Sequence, residues 1–300
     1  MFDPIIKFLR EADIEFKENY DLSILSSIKI GGVARLVTYP ASECELIALI
    51  RCLRRDNIPY KIIGGATNIL FNDGEIKTVI VSTKRIRRVK ITDAVIYAEC
   101  GASQRGVCRV SLESGLGGLE ALSGIPGSIG GAIMGNSGAF GAEISDSVRF
   151  VRAYDPQKDV VLDIPISECG FSYRHSRFKN SGEVILGASL MLYPKDRAEI
   201  TEKTRRYQSL RMEKQPCDMP SLGCTFKKIQ STSAGELIDR CGLKGQTLGR
   251  ASVSDKHAGF IVNNGGADAA DYIGLMYLCR KSVFEKFHLN LEPEIVFLKH

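Results

Sequence analysis

The sequence predicts an α+β protein, and three observations predict that class. In the first hundred residues, segments typical of strands alternate with segments typical of helices. Strand patterns dominate between 147 and 194. A polar, basic helical stretch then covers 196–215 and ends at Pro216, which is the most plausible domain boundary. The chain has 300 residues, enough for one large domain or two ordinary ones.

Local signals mark each element of the first half. Ser42 and Glu45 form an S-x-x-E capping box, and the helix that follows repeats apolar residues on one face: Leu46, Leu49, Ile50 and Leu53. Residues 60–65 predict a buried strand that runs into a turn. Two further strands are predicted, followed by a helix: strands over 78–82 and 94–100, and the helix near 103–115.

The second half begins with strands and ends with a mixture of both element types. Three strands are predicted over 147–155, 160–165 and 183–193. Beyond Pro216, the order is a helix capped by Ser233, a strand, a long helix and a last strand, with the two strands over 258–263 and 293–298. The long helix is predicted to bury one face: Ile273, Met276, Cys279, Val283 and Phe287.

Composition narrows the function classes. A net charge of +5 fits anionic small molecules, but it is too small and too scattered to indicate a nucleic-acid partner. The first residues lack a basic region followed by a long apolar run, so no secretory signal is predicted. The nine cysteines form no C-x-x-C pair and no metal-binding spacing with the four histidines. We therefore expect a cytoplasmic protein without a disulfide framework and without a metal site.

A glycine-rich segment over 121–142 contains no charged residue and two overlapping GxxxG spacings. Seven glycines, Pro126 and Asn136 disfavour a membrane helix, and no second span exists. Interleaved Ile, Met and Phe disfavour a disordered linker. An ordered loop remains, in which glycines let backbone N–H groups approach an anion closely, beside a helix that starts near Ser128.

A second glycine-rich loop, "IIGGATNILFND" over 62–73, follows a predicted strand. It matches neither the G-x-G-x-x-G fingerprint nor a P-loop. Alone, either loop is equally compatible with a turn that binds no ligand.

Taken in order, eight segments resemble the UDP-N-acetylenolpyruvoylglucosamine reductase (MurB) family: "SIKIGG", "IIGGATNILFND", "GIPGSIGGAIMGNSGAFGAEISD", "YRHSRF", "QPCDMPSLGCTFK", "AGELIDRCGLKG", "SDKHAGFIVN" and "LEPEIVFL". The resemblance runs from about residue 25 to the end of the chain. The compact C-terminal third resembles the shorter, type II form of the family.

The resemblance implies a vanillyl-alcohol-oxidase-type fold, with two FAD-binding subdomains over 1–90 and 91–195 and a smaller α+β substrate-binding domain over 196–300. It implies an oxidoreductase of peptidoglycan precursor synthesis. NADPH would reduce FAD, and the enolpyruvyl ether of UDP-N-acetylglucosamine would then be reduced to UDP-N-acetylmuramate. We expect a monomer that binds a small-molecule UDP-sugar and no membrane.

The resemblance assigns FAD to the two glycine-rich loops. Neither loop contains a His or Cys that could attach to the flavin, so non-covalent binding is predicted. The implied FAD-binding residues are Gly64, Gly65, Ala66, Thr67, Asn68, Ile69, Leu70, Gly124, Ile125, Pro126, Gly127, Ser128, Gly130, Gly131, Asn136, Gly138 and Ala139.

The implied substrate defines the chemistry that the site needs. An enolpyruvyl double bond is electron-rich and resists hydride, so the substrate carboxylate must be polarised to accept the incoming charge. Hydride arrives at the methylene carbon, and an acid must then protonate the carbon next to it. Arg174 in "YRHSRF" matches the family's activating arginine, whose fork can hold a carboxylate in two places. Glu294 matches the family's glutamate, which assists polarisation or proton handling, and Glu292 is the weaker candidate for that role.

The proton donor departs from the family pattern, since "GCTFK" places Cys224 where the family usually has Ser. A thiol is mostly protonated at pH 7, so Cys224 can act as the acid. Thr225 is an alternative, although it would point differently on an extended segment. Tyr173 and Lys227 are the implied substrate-binding residues.

Smaller departures concern Ala66, Thr67 and Lys228, which stand where the family often has Gly, Ser, and Asn or Arg. His175 and His257 are expected to be structural. Two other functions remain open: an oxygen-using FAD-dependent hydroxy-acid or alcohol oxidase on the same fold, and a non-enzymatic nucleotide-binding or membrane-bound module.

Overall fold

The structure, a computed structural model, describes residues 2–230 and 232–298. The chain forms two compact units, and both are discontinuous in sequence. Unit 1 contains the residues up to Glu18, Leu36–Gly65 and Thr78–Ser209. Unit 2 contains Asn19–Arg35, Ala66–Lys77 and the residues from Leu210 onward. The predicted division at residues 90 and 195 stays a prediction.

Within the described residues there are seven α-helices: α1 (Asp3–Glu11), α2 (Glu43–Arg55), α3 (Gln104–Glu113), α4 (Ile129–Gly135), α5 (Arg197–Lys214), α6 (Ala234–Arg240) and α7 (Ala269–Phe287). The strands are β1 (Glu15–Asp21), β2 (Val33–Tyr39), β3 (Tyr60–Ile63), β4 (Ile69–Phe71), β5 (Glu75–Ile76), β6 (Val79–Ser82), β7 (Val89–Thr92), β8 (Val95–Glu99), β9 (Leu116–Gly117), β10 (Gly138–Ala139), β11 (Ala142–Glu143), β12 (Val148–Asp155), β13 (Val160–Pro165), β14 (Val184–Met191), β15 (Tyr193–Pro194), β16 (Ser221–Cys224), β17 (Thr247–Leu248), β18 (Ala251–Val253), β19 (Phe260–Asn263) and β20 (Val296–Leu298).

Unit 1 is built around an antiparallel sheet in the order β13-β12-β14-β8-β7. Every residue of β14 except the last is buried, and α4 packs against this strand. In the other sheet, β6 lies between β2 and β3 and runs parallel to both. The predicted buried strand over 60–65 is therefore an edge strand, in which Ile63 alone is buried.

Unit 2 is built around an antiparallel sheet in the order β16-β19-β18-β17, and β20 pairs in parallel with β4. Its core joins these strands to α6 and α7. The predicted apolar face of α7 is partly wrong, because Ile273 is exposed. The buried face instead carries Ala269, Tyr272, Leu275, Met276, Cys279 and Val283.

Serine caps start the predicted helices where expected. The Ser42 hydroxyl accepts from the Glu45 amide N–H at 3.2 Å, and Glu45 Oε2 accepts from the Ala41 N–H at 2.8 Å. Ser103 and Ser233 cap α3 and α6 in the same way. Because each cap satisfies a backbone N–H that the helix leaves unpaired, these short polar residues fix the helix starts.

The uncharged segment over 121–142 contains only one α-helix, the seven-residue α4. Across residues 2–230 and 232–298, no helix is both long and apolar enough to span a bilayer.

Candidate active site

The glycine-rich segment of unit 1 folds as a capped helix followed by a hairpin. Ser128 is the N-cap of α4, and its hydroxyl accepts from the Gly131 N–H at 3.3 Å. The helix start predicted near Ser128 is thus confirmed. Asn136 ends the helix in the left-handed region at φ 45°, and β10 and β11 then form a tight hairpin.

The two predicted glycine loops meet in unit 1 at Gly64. A Cβ at Gly64 would lie 2.0 Å from the Ser128 hydroxyl oxygen. A Cβ at Gly130 would lie 3.1 Å from the backbone oxygen of Cys100, and Gly127 has a φ of 125°. A side chain at Gly64 would displace the Ser128 hydroxyl, one at Gly130 would crowd the Cys100 backbone, and the left-handed backbone of Gly127 favours glycine.

Asn136 has a fully buried side chain whose amide is bound by the protein. Its Nδ2 donates to Glu143 Oε2 at 2.7 Å and to the Ser172 carbonyl at 3.1 Å. Its Oδ1 accepts from the Ser145 N–H at 3.2 Å. The residue therefore links the end of α4 to the turn that carries Arg174, and a direct contact of Asn136 with FAD stays a prediction.

Arg174 lies in a two-residue turn closed by Ser172 and His175. The Ser172 N–H donates to the His175 carbonyl at 3.1 Å, and the His175 N–H donates back at 3.0 Å. Arg174 has a φ of 54°, which is rarely populated by residues other than glycine. Its Nη2 donates to the Gly138 carbonyl at 3.3 Å, and its guanidinium carbon lies 5.2 Å from the centre of the Tyr173 ring. The predicted FAD loop and the predicted substrate-activating arginine are thus in contact within unit 1.

In unit 2, Cys224 ends β16 and is partly exposed. Gly223, with a φ of 78°, precedes it where the register of β16 against β19 shifts. Thr225 is 1% exposed, and its hydroxyl oxygen lies 3.0 Å from the hydroxyl of Tyr272. The Thr225 hydroxyl is therefore buried and hydrogen-bonded, whereas Cys224 is partly exposed.

Glu294 is anchored through its backbone on two sides. Its N–H donates to the Thr225 carbonyl at 2.9 Å, and its carbonyl accepts from Asn68 Nδ2 at 3.1 Å. The Val296 N–H donates to the Asn68 carbonyl at 2.9 Å, where β20 meets β4. The second predicted FAD loop and the predicted glutamate are therefore adjacent in unit 2.

Lys227 forms an ion pair with Glu292. The Lys227 N–H also donates to the Glu292 carbonyl at 2.9 Å. The Glu292 side chain is 69% exposed, as expected for a solvated residue, but its role as the partner of Lys227 had no signal in the sequence.

Comparison with known proteins finds relatives that match nearly the whole chain. Residues 215–298 match the family described as UDP-N-acetylenolpyruvoylglucosamine reductase, C-terminal domain, and residues 34–162 match a family of FAD binding domains. The UDP-N-acetylenolpyruvoylglucosamine reductase of Caldicellulosiruptor bescii is 40% identical over 97% of this chain and 93% of its own length. The chain belongs to the UDP-N-acetylenolpyruvoylglucosamine reductase family.

Two further relatives agree with this assignment. The reductase of Lactobacillus helveticus is 36% identical over 96% of both chains. The crystal structure of the enzyme (MurB) from Thermus caldophilus superposes with a TM-score of 0.81, at 28% identity over 95% of this chain and 99% of that one. Membership in the reductase family confirms the predicted enzyme class, an FAD-containing oxidoreductase, and the predicted α+β fold of the vanillyl-alcohol-oxidase type.

The residues of unit 1 fit the FAD that the reductase family contains. Gln104, which the sequence analysis missed, donates its backbone N–H to the Gly127 carbonyl at 3.0 Å, and its Oε1 accepts from the Ser137 hydroxyl at 3.1 Å. Its buried Nε2 has no hydrogen-bond partner among the described residues. A buried Gln104 Nε2 without a partner in the described part of the chain, next to a closely packed glycine-rich backbone, is consistent with a loop shaped for a polar cofactor.

The other predicted site residues divide between the units. Unit 1 contains Gly64, Gly65, the predicted loop residues from Gly124 to Ala139, Tyr173 and Arg174. Unit 2 contains the predicted loop residues from Ala66 to Leu70, Cys224, Lys227 and Glu294.

Proposed function

We propose that Arg174, Cys224 and Glu294 carry out the substrate step of the family reaction in this chain. That reaction is the NADPH-dependent reduction of the enolpyruvyl ether of UDP-N-acetylglucosamine to UDP-N-acetylmuramate, and FAD, when bound, supplies the hydride-transfer chemistry. The observation that carries the assignment is the backbone ladder of unit 2. In it, Thr225 comes directly after Cys224 in the chain, and its carbonyl accepts a hydrogen bond from the Glu294 N–H.

Arg174 polarises the substrate carboxylate in this proposal. Its guanidinium can donate two parallel hydrogen bonds, which a lysine cannot do. The left-handed turn and the hydrogen bond to the Gly138 carbonyl orient the side chain before the substrate arrives. Charge that flows into the carboxylate is then stabilised without a reorganisation cost.

Cys224 is the proton donor in this proposal. A thiol with an ordinary pKa near 8.5 holds its proton at about pH 7. Once hydride has reached the methylene carbon, the neighbouring carbon needs a proton, and the partly exposed thiol can donate it. Glu294 assists either the polarisation of the substrate carboxylate or the proton transfer. Next to an anionic substrate, the Glu294 carboxyl must itself be protonated or accept a hydrogen bond from a donor.

The remaining predicted residues bind or position. Gly64 to Leu70 and the loop from Gly124 to Ala139 hold FAD without a covalent bond. Within that loop, Asn136 acts by tying α4 to the Arg174 turn, which its three protein partners support. Tyr173 and Lys227 bind the UDP-sugar, and an anionic group of the substrate would compete with Glu292 for the Lys227 ammonium. We also propose that the enzyme works in the cytoplasm as a monomer.

Substitution of Cys224 tests the assignment. Cys224→Ser keeps an exchangeable proton and should retain substantial turnover, whereas Cys224→Ala should lose roughly 10²–10⁴-fold, the usual contribution of a general acid. In the alanine variant, NADPH should still bleach the flavin at the native rate. The deciding measurement is a single turnover of substrate by pre-reduced Cys224→Ala enzyme, and a native rate there would remove Cys224 from the mechanism.

A further inference from the structure

The hydroxyl groups of Thr225 and Tyr272 form a buried pair, and Thr225 directly follows β16, the strand that ends at Cys224. Thr225 is 1% exposed and Tyr272 is fully buried, and their oxygens lie 3.0 Å apart. The two residues are far apart in sequence, since Tyr272 belongs to α7. Burial raises the pKa of Tyr272, so this phenol stays neutral and can donate its proton to a hydrogen bond.

Thr225 is the junction between the two proposed catalytic groups of unit 2. Thr225 comes directly after Cys224. The Thr225 N–H donates to the Gly259 carbonyl at 2.8 Å, and the Thr225 carbonyl accepts from the Glu294 N–H at 2.9 Å. Its backbone is therefore held on both sides, while the direction of its side chain is held by Tyr272. Thr225 lies at a bend directly after β16, so a side chain fixed toward the core also fixes the backbone next to Cys224.

We propose that Tyr272 is a positioning residue, which through the Thr225–Tyr272 pair holds Cys224 and Glu294 in register for the substrate step. This role rests on the proposed function of those two residues. Tyr272 itself is fully buried, so it acts through Thr225 and does not contact the substrate. Such positioning matters next to Gly223, whose left-handed backbone adjoins Cys224 where the register of β16 against β19 shifts.

The expected effect falls on one half of the catalytic cycle. Tyr272→Phe removes a single oxygen from the core, and a displacement of about 1 Å at a reacting group can slow a step by about 10²-fold. We expect the single-turnover rate of substrate reduction to fall by about 10- to 100-fold. Reduction of the flavin by NADPH should stay native, because it does not need the Cys224 proton.

A double-mutant cycle separates positioning from mere stability. In Tyr272→Phe and in Thr225→Val, one buried hydroxyl loses its partner, which destabilises the fold. In the double variant, neither hydroxyl remains, so stability in urea should largely return while the substrate step should stay slow. Tyr154→Phe is the matched control, because Tyr154 is a buried tyrosine of unit 1 whose hydroxyl donates to Asp159 at 2.6 Å. That control should turn over at the native rate.

Several results would overturn the role of Tyr272. They are a native substrate step in Tyr272→Phe, a native substrate step in the double variant, or an equal loss in both half-reactions. If Tyr272→Phe does not fold, Thr225→Ser and Thr225→Val decide the matter, since Ser keeps the hydroxyl and should rescue the rate that Val loses. Failure of the proposed function would look different, because pre-reduced Cys224→Ala enzyme would then reduce the UDP-sugar at the native rate.

Discussion

Arg174 occupies a left-handed backbone conformation, at φ 54°, that carries a steric penalty for an arginine. The surrounding contacts hold it there: the Ser172–His175 pairing closes the turn, and Asn136 binds the Ser172 carbonyl. Local strain of this kind persists only where neighbouring structure enforces it, and it occurs often at functional sites. The contacts around Arg174 thus favour a guanidinium that is oriented before the substrate binds.

Arg174→Lys should slow substrate reduction while it leaves flavin reduction by NADPH native. Lysine keeps the charge but loses the two-pronged geometry, and removal of such a group typically costs about 2–4 kcal/mol of transition-state stabilisation. Anaerobic rapid-mixing kinetics of the two half-reactions would measure this. Arg149→Lys, at an exposed position of β12, is the control and should match the native enzyme in both. If both half-reactions fell together in Arg174→Lys, Arg174 would be structural.

His257 is the residue whose titration should affect stability. Burial lowers the pKa of His257, and the nearby Lys244 lowers it further. Its Nδ1 also accepts from the Gly259 N–H at 3.0 Å, a bond that only an unprotonated Nδ1 can accept. The unfolded chain therefore takes up a proton at higher pH than the folded protein does.

The sign of the pH dependence follows from that difference. The contribution of His257 to stability should be full above its unfolded pKa of about 6.5 and should decline as the pH falls below that value. Urea unfolding from about pH 8 to about pH 5 should show a steeper loss for the native protein than for His257→Gln. Equal slopes would mean that His257 titrates alike in the folded and unfolded chain.

At the scale of elements, the close contact between Gly64 and the N-cap of α4 leaves no room for a side chain. In Gly64→Ala, the new Cβ would stand 2.0 Å from the Ser128 hydroxyl oxygen and force it away from the Gly131 N–H. Loss of such a cap costs about 0.5–2 kcal/mol. We expect a lower unfolding midpoint and weaker retention of FAD, read from the flavin absorbance after gel filtration.

Gly135→Ala is the matched control, because Gly135 lies in the same segment but is not one of the predicted FAD-binding residues. Gly135 is the last residue of α4, and its Cβ would meet no atom within 4 Å. Alanine favours helix over glycine by about 1 kcal/mol, so this variant should be neutral or slightly more stable and should keep its flavin. If the two variants behaved alike, the Gly64–Ser128 contact would not constrain the loop.

Most element types and positions could be predicted from the sequence, because caps and apolar periodicity are local signals. The errors came from tertiary context. The face of α7 was misjudged at Ile273, because Tyr272 is buried instead with its hydroxyl bound by Thr225, a partner that lies in another element. The strand at 60–65 was predicted as buried because it is apolar, whereas its place at a sheet edge depends on pairing.

The eight ordered motifs predict a set of site residues, which stays a prediction, but they do not predict the contacts among those residues. The link from Asn68 to Glu294, the ion pair of Lys227 with Glu292 and the burial of Asn136 all depend on contacts between distant segments. Gln104 carried no signal, because a glutamine after a helix cap is ordinary.

At the scale of the whole molecule, the chain alternates between its two units. Asn19–Arg35 and Ala66–Lys77 belong to unit 2 together with the C-terminal residues, and the parallel pairing of β4 with β20 joins them across most of the sequence. Patterns along the chain cannot reveal such long-range pairing.

One anaerobic experiment tests whether this chain passes hydride from NADPH through bound FAD to an enolpyruvyl UDP-sugar. The purified protein should be yellow. NADPH should bleach its absorbance, and UDP-N-acetylenolpyruvoylglucosamine should then restore it in a single turnover and yield UDP-N-acetylmuramate. If the UDP-sugar left the reduced flavin bleached and only oxygen reoxidised it, this chain would not transfer hydride to the enolpyruvyl ether.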